Sequence, residues 1–377
     1  MVRRKTRGVR VAAGSPRAAV TRSVAPAPVR AGGSARDLEA LAVSHWFDSG
    51  EDGDPYTATV RFRGQRLDVR GKPGPADAFV RDEQIRGVVP GSGPVSVTSR
   101  VYGLEPGEWT VTAELIPTRS ATPEPADRKL RRRAGGVTLP RASWSWRRWS
   151  MSSGEFRPVT TRWAPLVRLV SPPAVIPGSW TGLVALGAAI GLVIQSALLS
   201  RADIPGIAGM GVTLVALAIG LAAAKVRYIM LHPHTWRTSP AEGWAVGGFL
   251  VAMPLAVLTG LLLLDLPVGG FVDASTPALF FGVAIGRLGC FFTGCCAGRC
   301  TRSRWGVWSS DRRVGARRIP TQLLESGVGL ILGIASLVVL LFAPPPVEGL
   351  IFVGAMTAYF AARSRLLKLR LERQPAA

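Results

Sequence analysis

All four cysteines of the chain lie between Cys290 and Cys300, in the stretch Gly286-Arg-Leu-Gly-Cys-Phe-Phe-Thr-Gly-Cys-Cys-Ala-Gly-Arg-Cys300. Cys290, Cys295, Cys296 and Cys300 stand in a C-x4-C-C-x3-C pattern, close enough in sequence to meet. Three readings stay open: small residues packed at a tight turn, a disulfide or redox group, or ligands for a metal. The spacing matches no standard zinc or iron–sulfur arrangement and no histidine is near, so the expected metal and cofactor content is none. Arg287 comes just before these thiols, at the end of a long apolar run. A charge inside a lipid-compatible segment is costly and marks a functional position. Tyr359-Phe-Ala-Ala-Arg363 repeats the theme, with Tyr359 and Arg363 one helical turn apart and on one face. Arginine at such a boundary suits recognition of a phosphate, through charge-assisted hydrogen bonds that a low-dielectric site strengthens.

The elements that must position these residues are membrane helices. From Ile176 to Arg363 the chain is dominated by Leu, Val, Ala, Gly and Ile. Six apolar runs have roughly the 20-residue length of a bilayer span: Trp180–Leu199, Ile207–Leu231, Trp244–Leu264, Ser275–Thr293, Leu323–Phe342 and Val347–Ala362. None carries the alternating polar face of a soluble helix. The expected fold is a polytopic α-helical membrane protein with about six transmembrane helices and an N-terminal all-β sandwich domain.

The sandwich is read from Leu38 to about 118. Tyr56-Thr-Ala-Thr-Val-Arg-Phe62 and Val95-Ser-Val-Thr-Ser-Arg-Val-Tyr102 alternate with period two, and a Pro-Gly turn precedes Glu108-Trp-Thr-Val-Thr-Ala-Glu-Leu115. This resembles the late strands of a fibronectin type III or immunoglobulin-like domain, a binding or spacer module whose partner is unknown. His45 reads as an ordinary strand residue. Residues 1–37 are polar, basic and rich in Ala, Pro and Gly, and are expected to be disordered; no apolar core follows Met1-Val-Arg-Arg-Lys-Thr-Arg7, so no signal peptide is expected. Residues 119–175 read as an Arg/Trp-rich linker or interfacial strip, with Arg131-Arg-Arg133, Trp144-Ser-Trp-Arg-Arg-Trp149, Arg157, Arg162 and Trp163. The membrane domain is placed at 176–366 and a basic tail at 367–377. The formal net charge of +22 sits largely beside the apolar runs, where headgroups rather than nucleic acid are the nearest partner.

From Ile176 to Arg370 the chain resembles the bacterial prolipoprotein diacylglyceryl transferase family. The resemblance is carried by Asp273-Ala-Ser-Thr-Pro277, by the signature-like Gly286–Gly298, by Arg318-Ile-Pro-Thr-Gln-Leu-Leu-Glu325, and by Tyr359–Arg363 with Arg370 after it. It implies a multi-pass protein of the bacterial cell membrane. It would transfer diacylglycerol from phosphatidylglycerol, an anionic phospholipid, to the cysteine thiol of preprolipoproteins. It also implies Arg287, Arg363 and Tyr359 as catalytic residues, and Lys225, Gly289, Gly294, Gly298, Gln322, Glu325 and Arg370 as substrate-binding ones.

The departures from the family pattern fall on proton-transfer groups. Val246 stands where the family has the histidine of a His-Gly-Gly motif, and valine cannot accept a proton. Cys290 replaces an Asn, Cys295 a Glu, Leu367 a Glu, and Thr181 the Tyr of Tyr-Gly-Leu. His232 and His234 could substitute only if their loop folds back. Two further readings therefore stand beside the transferase: a non-catalytic phospholipid-binding or partner-recruiting protein on the same scaffold, and a thiol redox or metal-binding membrane protein. Orientation is pulled both ways. The basic loops all fall on one side, which the positive-inside rule places in the cytoplasm, whereas the resemblance places the signature turn outside.

Overall fold

The computed structural model describes residues 40–116 (except 68, 70, 73, 103, 105 and 106), 137–138, 142–144, 150–153, 173–232 (except 177) and 245–371. The terminal 1–37 segment, most of the Arg/Trp-rich strip, His234 and Trp244 lie outside the described residues.

Alternating apolar residues build the N-terminal part. Strands β1 (Ala40–Asp48), β2 (Tyr56–Arg66), β3 (Ala78–Val88), β4 (Pro94–Tyr102) and β5 (Gly107–Ile116) form most of two sheets. Every second residue points inward, so Leu41, Val43, Val60, Phe62, Val97, Trp109 and Val111 make a dry core between the sheets. Three short strands, β6 (Val137–Thr138), β7 (Ala142–Trp144) and β8 (Ser150–Ser153), lie in the segment read as a linker and pair with β5, β5 and β1.

Six helices follow where the apolar runs are: α1 (Ser179–Arg201), α2 (Gly206–Leu231), α3 (Val246–Leu263), α4 (Val268–Thr293), α5 (Thr321–Phe342) and α6 (Leu350–Leu367). Five are long and apolar enough to cross a membrane; α3 is apolar but falls among the shorter helices over its described part, Gly247–Leu263. Small residues let the backbones approach, as expected where lipid removes the hydrophobic drive between helices. Gly187 and Gly191 of α1 face Gly282 and Ala278 of α4, where an added Cβ would meet a carbonyl oxygen at 3.0 Å in each case. Gly329 and Gly333 of α5 lie against the other side of α4, at Ala284 and Phe281. Gln195 donates to Thr213 Oγ1 at 2.9 Å and to Ser275 Oγ at 2.7 Å, joining α1, α2 and α4. Leu214, Val215, Leu250, Leu255, Leu262 and Leu263 on α2 and α3 are exposed apolar surface of the kind a bilayer covers.

The loop after α4, expected to be a basic connection, is a structured hairpin: β9 (Val307–Ser310) and β10 (Val314–Arg318). β10 pairs antiparallel with β4 through Val314↔Val97 and Gly315↔Ser96. One sheet therefore runs β8-β1-β4-β10-β9 and takes strands from both halves of the chain; the other runs β3-β2-β5-β6. Val314 and Ala316 enter the sandwich core, 4% and 1% exposed. Trp308 stacks on Trp46 with ring centroids 5.2 Å apart and donates its indole N–H to Pro94 O at 2.9 Å. The sandwich is thus fixed to the end of the helix bundle that bears the cysteine turn.

Candidate functional site

Four consecutive features of the membrane half converge at that end. Arg287 comes from the last turns of α4, Glu325 from the second turn of α5, Tyr359 and Arg363 from α6, and Arg370 from just beyond α6. Glu325 is 1% exposed and takes all three guanidiniums: Arg363 Nη1 at 2.7 Å, Arg370 Nη2 at 2.7 Å and Arg287 Nε at 3.1 Å. Arg363 Nη1 also donates to the Tyr359 hydroxyl at 3.3 Å, and the edge of the Tyr359 ring packs on Phe280. Burying one carboxylate is costly, and several charge-assisted bonds offset that cost. The converse does not hold: one negative charge faces three positive ones, so the cluster keeps an excess of two positive charges. At an effective dielectric of about 20, each added anion contact near 4 Å would contribute roughly 4 kcal/mol of Coulomb attraction. Such a cluster can receive an anion.

The cysteine turn is held from below by backbone-directed side chains. α4 ends at Gly294 in the left-handed region, φ 70°, where a Cβ would meet Ser310 O at 2.7 Å. Gln322 Nε2 donates to Cys295 O at 2.9 Å, Thr321 Oγ1 to Cys296 O at 3.1 Å, and Arg318 Nη1 to Gly298 O at 3.1 Å. Arg318 is itself buried and paired with Asp311 Oδ2 at 2.8 Å. The chain after α6 closes the other side: Leu371 N donates to Ala297 O and Arg299 N to Leu369 O, both at 3.0 Å. Gly298 lies so close to Ile319 O that no side chain fits. Gly289 is where α1 crosses, with Trp180 Cα 3.0 Å from its would-be Cβ. Each of Gly289, Gly294 and Gly298 thus has a packing reason for being glycine, and Gln322 positions the turn.

The Cys295 thiol donates to Cys290 O at 3.7 Å, and Cys290 Sγ accepts from Arg287 Nη1 at 3.9 Å. Cys296 sits in the left-handed region at φ 56°, and it and Cys295 are partly exposed. Cys300 is apart: it bridges to Arg318 and packs on the sandwich core, where burial pushes its thiol up. All four are free. Among the described residues no group of three or more His, Cys, Asp or Glu side chains is placed to hold a metal ion.

The remaining candidates take other places. Lys225 stands over the ring of Tyr228 on α2, 5.6 Å from its centroid, and His232 stacks on the same ring at 4.6 Å. Val246 begins α3, whose start is pinned to α2 by Ala245 N donating to Ala224 O. Asp273 is far from the arginines along α4. It caps α6 by accepting from Gly349 N at 2.7 Å and Phe352 N at 2.9 Å.

Arg318 and Thr321 do turn-holding work that residue type alone did not single out, although both lie inside the quoted Arg318–Glu325 motif. Arg312 was missed altogether. Its Nε donates to Thr293 O at 3.1 Å, its own carbonyl accepts from Arg100 Nη1 at 3.5 Å, and the adjacent Arg313 reaches Glu83 and Gln84 O. The two residues tie the sandwich to the start of the turn.

The family model for prolipoprotein diacylglyceryl transferase matches residues 173–374, more than half of the chain and every element of this site. No curated protein matches the chain.

Proposed function

Given that the chain belongs to the prolipoprotein diacylglyceryl transferase family, we propose that its arginine cluster binds the phosphate of phosphatidylglycerol in a bacterial cell membrane and that the site transfers the diacylglyceryl group to a cysteine thiol. The observation that carries this is the excess charge: Arg287, Arg363 and Arg370 share the single carboxylate of Glu325. In the reaction the acceptor sulfur bonds to the glyceryl carbon, the carbon–oxygen bond to phosphate breaks, and glycerol phosphate leaves with the electron pair. Negative charge grows on the leaving phosphate. Arg287 and Arg363, 18% and 28% exposed, are the members of the cluster with room to meet it. Arg370 and Glu325 are buried more deeply and hold the other two in place. Tyr359 fixes Arg363 through its hydroxyl.

The acceptor class, exported preprolipoproteins, requires the cysteine turn to face the compartment where those thiols arrive. The sandwich, which shares a sheet with the hairpin beside the turn, faces the same compartment and would meet the acceptor's folded part.

A second reading is favoured by one specific residue. Val246 offers no proton acceptor where the family has its base, and a phospholipid-binding scaffold without transfer needs none. The deciding experiment is diacylglyceryl transfer in phosphatidylglycerol membranes, with a lipobox peptide followed by mass and Arg287→Ala beside the wild type. A diacylglyceryl mass gain that falls about 100-fold or more in Arg287→Ala supports the transferase. No gain, with phosphatidylglycerol binding still dependent on Arg287, supports the scaffold.

A further inference from the structure

The loop that leaves the cysteine turn carries a surface that lipid transfer does not use. From Arg299 to Gly306 it reads Arg-Cys-Thr-Arg-Ser-Arg-Trp-Gly, three cations and no acid. Its second part folds into a closed finger. Ser303 N donates to Thr301 Oγ1 at 3.1 Å, Trp305 N to Ser303 Oγ at 3.3 Å, and Gly306 N to Ser303 O at 2.9 Å. A Cβ on Gly306 would lie 2.7 Å from both Arg317 Cγ and Thr301 Cγ2, so the two ends of the finger are packed shut. This construction keeps the largest apolar ring of the loop outside: Trp305 is 75% exposed. The Arg304 guanidinium stands over that ring, 5.2 Å from its centroid, and Arg302 and Arg304 are both exposed.

The root of the finger decides its partner. Thr301 N donates to Arg317 O at 2.9 Å, and just before it Arg299 N donates to Leu369 O, immediately past the end of α6. On the same side α4 ends at Thr293 and α1 begins at Ser179, whose hydroxyls meet at 2.8 Å. The finger therefore springs from the level at which α1, α4 and α6, all long enough to cross a membrane, terminate. From Arg299 the chain to Trp305 reaches at most about 20 Å, and the closed turn shortens that, so the indole stays near the same level. Tryptophan prefers the headgroup region, and arginine pairs with lipid phosphate. We propose that residues 301–306 are a membrane-surface anchor: Trp305 enters the headgroup layer of an anionic bilayer, and Arg302 and Arg304 bind phosphates beside it. Arg304 keeps its face on the indole while its edge meets the phosphate, a geometry open to a planar guanidinium. Lipid phosphate is the nearest anion to a finger rooted here, ahead of an acidic protein surface. The finger runs directly into β9, the edge strand of its sheet, so anchoring sets that edge of the sandwich down on the bilayer. None of the three arginines that share Glu325 takes part.

The test uses the full chain labelled with fluorotryptophan, one molecule per nanodisc of phosphatidylcholine and phosphatidylserine, the latter an anionic lipid other than phosphatidylglycerol. Fluorine NMR separates the indoles, and Trp305→Phe, Trp180→Phe and Trp109→Phe assign three of them. A nitroxide attached to the lipid headgroup then broadens whatever lies at that level. Trp180, 38% exposed at the start of α1, is the positive reference, and Trp109, fully buried in the sandwich, is the negative one. Trp305 is expected to broaden as Trp180 does. Replacing Arg302 and Arg304 together by Gln is expected to lower the attached-to-free ratio of the finger about 30-fold, since each cation near an anionic surface is worth about 1 kcal/mol. Trp180 should keep its broadening in that variant, and an unmoved Trp109 resonance shows that the sandwich is folded. Arg287→Ala is expected to leave the Trp305 broadening as it was, so failure of the anchor and failure of lipid transfer are read separately. A sharp Trp305 resonance beside a broadened Trp180 overturns the proposal and leaves solvent or an acidic partner for the finger. Broadening at Trp305 that the paired Arg302→Gln and Arg304→Gln substitutions do not change overturns it as well.

Discussion

Glu325→Gln is the sharpest perturbation of the arginine cluster. The amide keeps the shape and one acceptor oxygen but removes the one carboxylate that, among the described residues, pairs with Arg287, Arg363 and Arg370. Removing one partner of a buried ion pair costs about 3–5 kcal/mol, because the other charge stays buried and uncompensated. Three guanidiniums share this carboxylate, but Arg287 and Arg363 reach the boundary and retain some solvent. The total is therefore set at about 3–5 kcal/mol rather than three times that. With an unfolding entropy of about 2 cal/mol/K per residue, a chain of 377 residues loses roughly 1.3 °C per kcal/mol, and the midpoint is expected to fall by about 5 °C. The assay is thermal unfolding in detergent followed by tryptophan fluorescence, with and without phosphatidylglycerol. The lipid should stabilise the variant more than the wild type, since its phosphate replaces the lost carboxylate. Arg363→Gln should cost less than half as much, because it removes one of the surplus cations. A Glu325→Gln midpoint within about 2 °C of wild type, with no extra lipid stabilisation, would refute the account of the cluster.

Asp273→Ala removes both hydrogen bonds at the start of α6 and is expected to cost about 1–2 kcal/mol in the same unfolding assay, with Asp273→Asn recovering most of it and phosphatidylglycerol binding unchanged. His45, buried in the sandwich with Nδ1 unbonded among the described residues, is lowered from 6.5 to about 4 by burial. Its neutral form fits the folded state, so its contribution is complete above pH 6.5, is lost as pH falls toward 4, and levels off below. The slope approaches 1.4 kcal/mol per pH unit. Stability measured from pH 7 to 4 should fall by about 3 kcal/mol more in the wild type than in His45→Leu.

The helices were legible because lipid-facing runs announce themselves in composition, and Arg287 because a charge within such a run is conspicuous. Glu325 was legible as a motif position but not as the carboxylate that three arginines share, since Arg370 reaches it from a tail that reads as a polar end. The hairpin was obscured by its own arginines. Val307-Trp-Ser-Ser310 and Val314-Gly-Ala-Arg-Arg318 are too short to show a period, and their pairing with β4 joins residues more than 200 positions apart, which no local pattern encodes. Gly294 and Gly298 did signal that the cysteines sit on a turn, but not that Cys300 leaves the other three to join the sandwich.

The β4–β10 pairing imposes an order of assembly. The sheet nearest the bundle cannot close until Val314 and Ala316 have been synthesised, and by then four helices have emerged. Until that moment β4 carries an unsatisfied edge and the core lacks one wall, the condition in which strands pair with the wrong chain. Completion also requires the N-terminal strands and the α4–α5 connection to be on the same side of the bilayer. Any chain that inserted α1 to α4 with the opposite parity would be unable to finish its sandwich. The sheet thus acts as a proofreading step for membrane insertion, penalising a molecule that has left one of those helices out of the bilayer with an open, aggregation-prone edge.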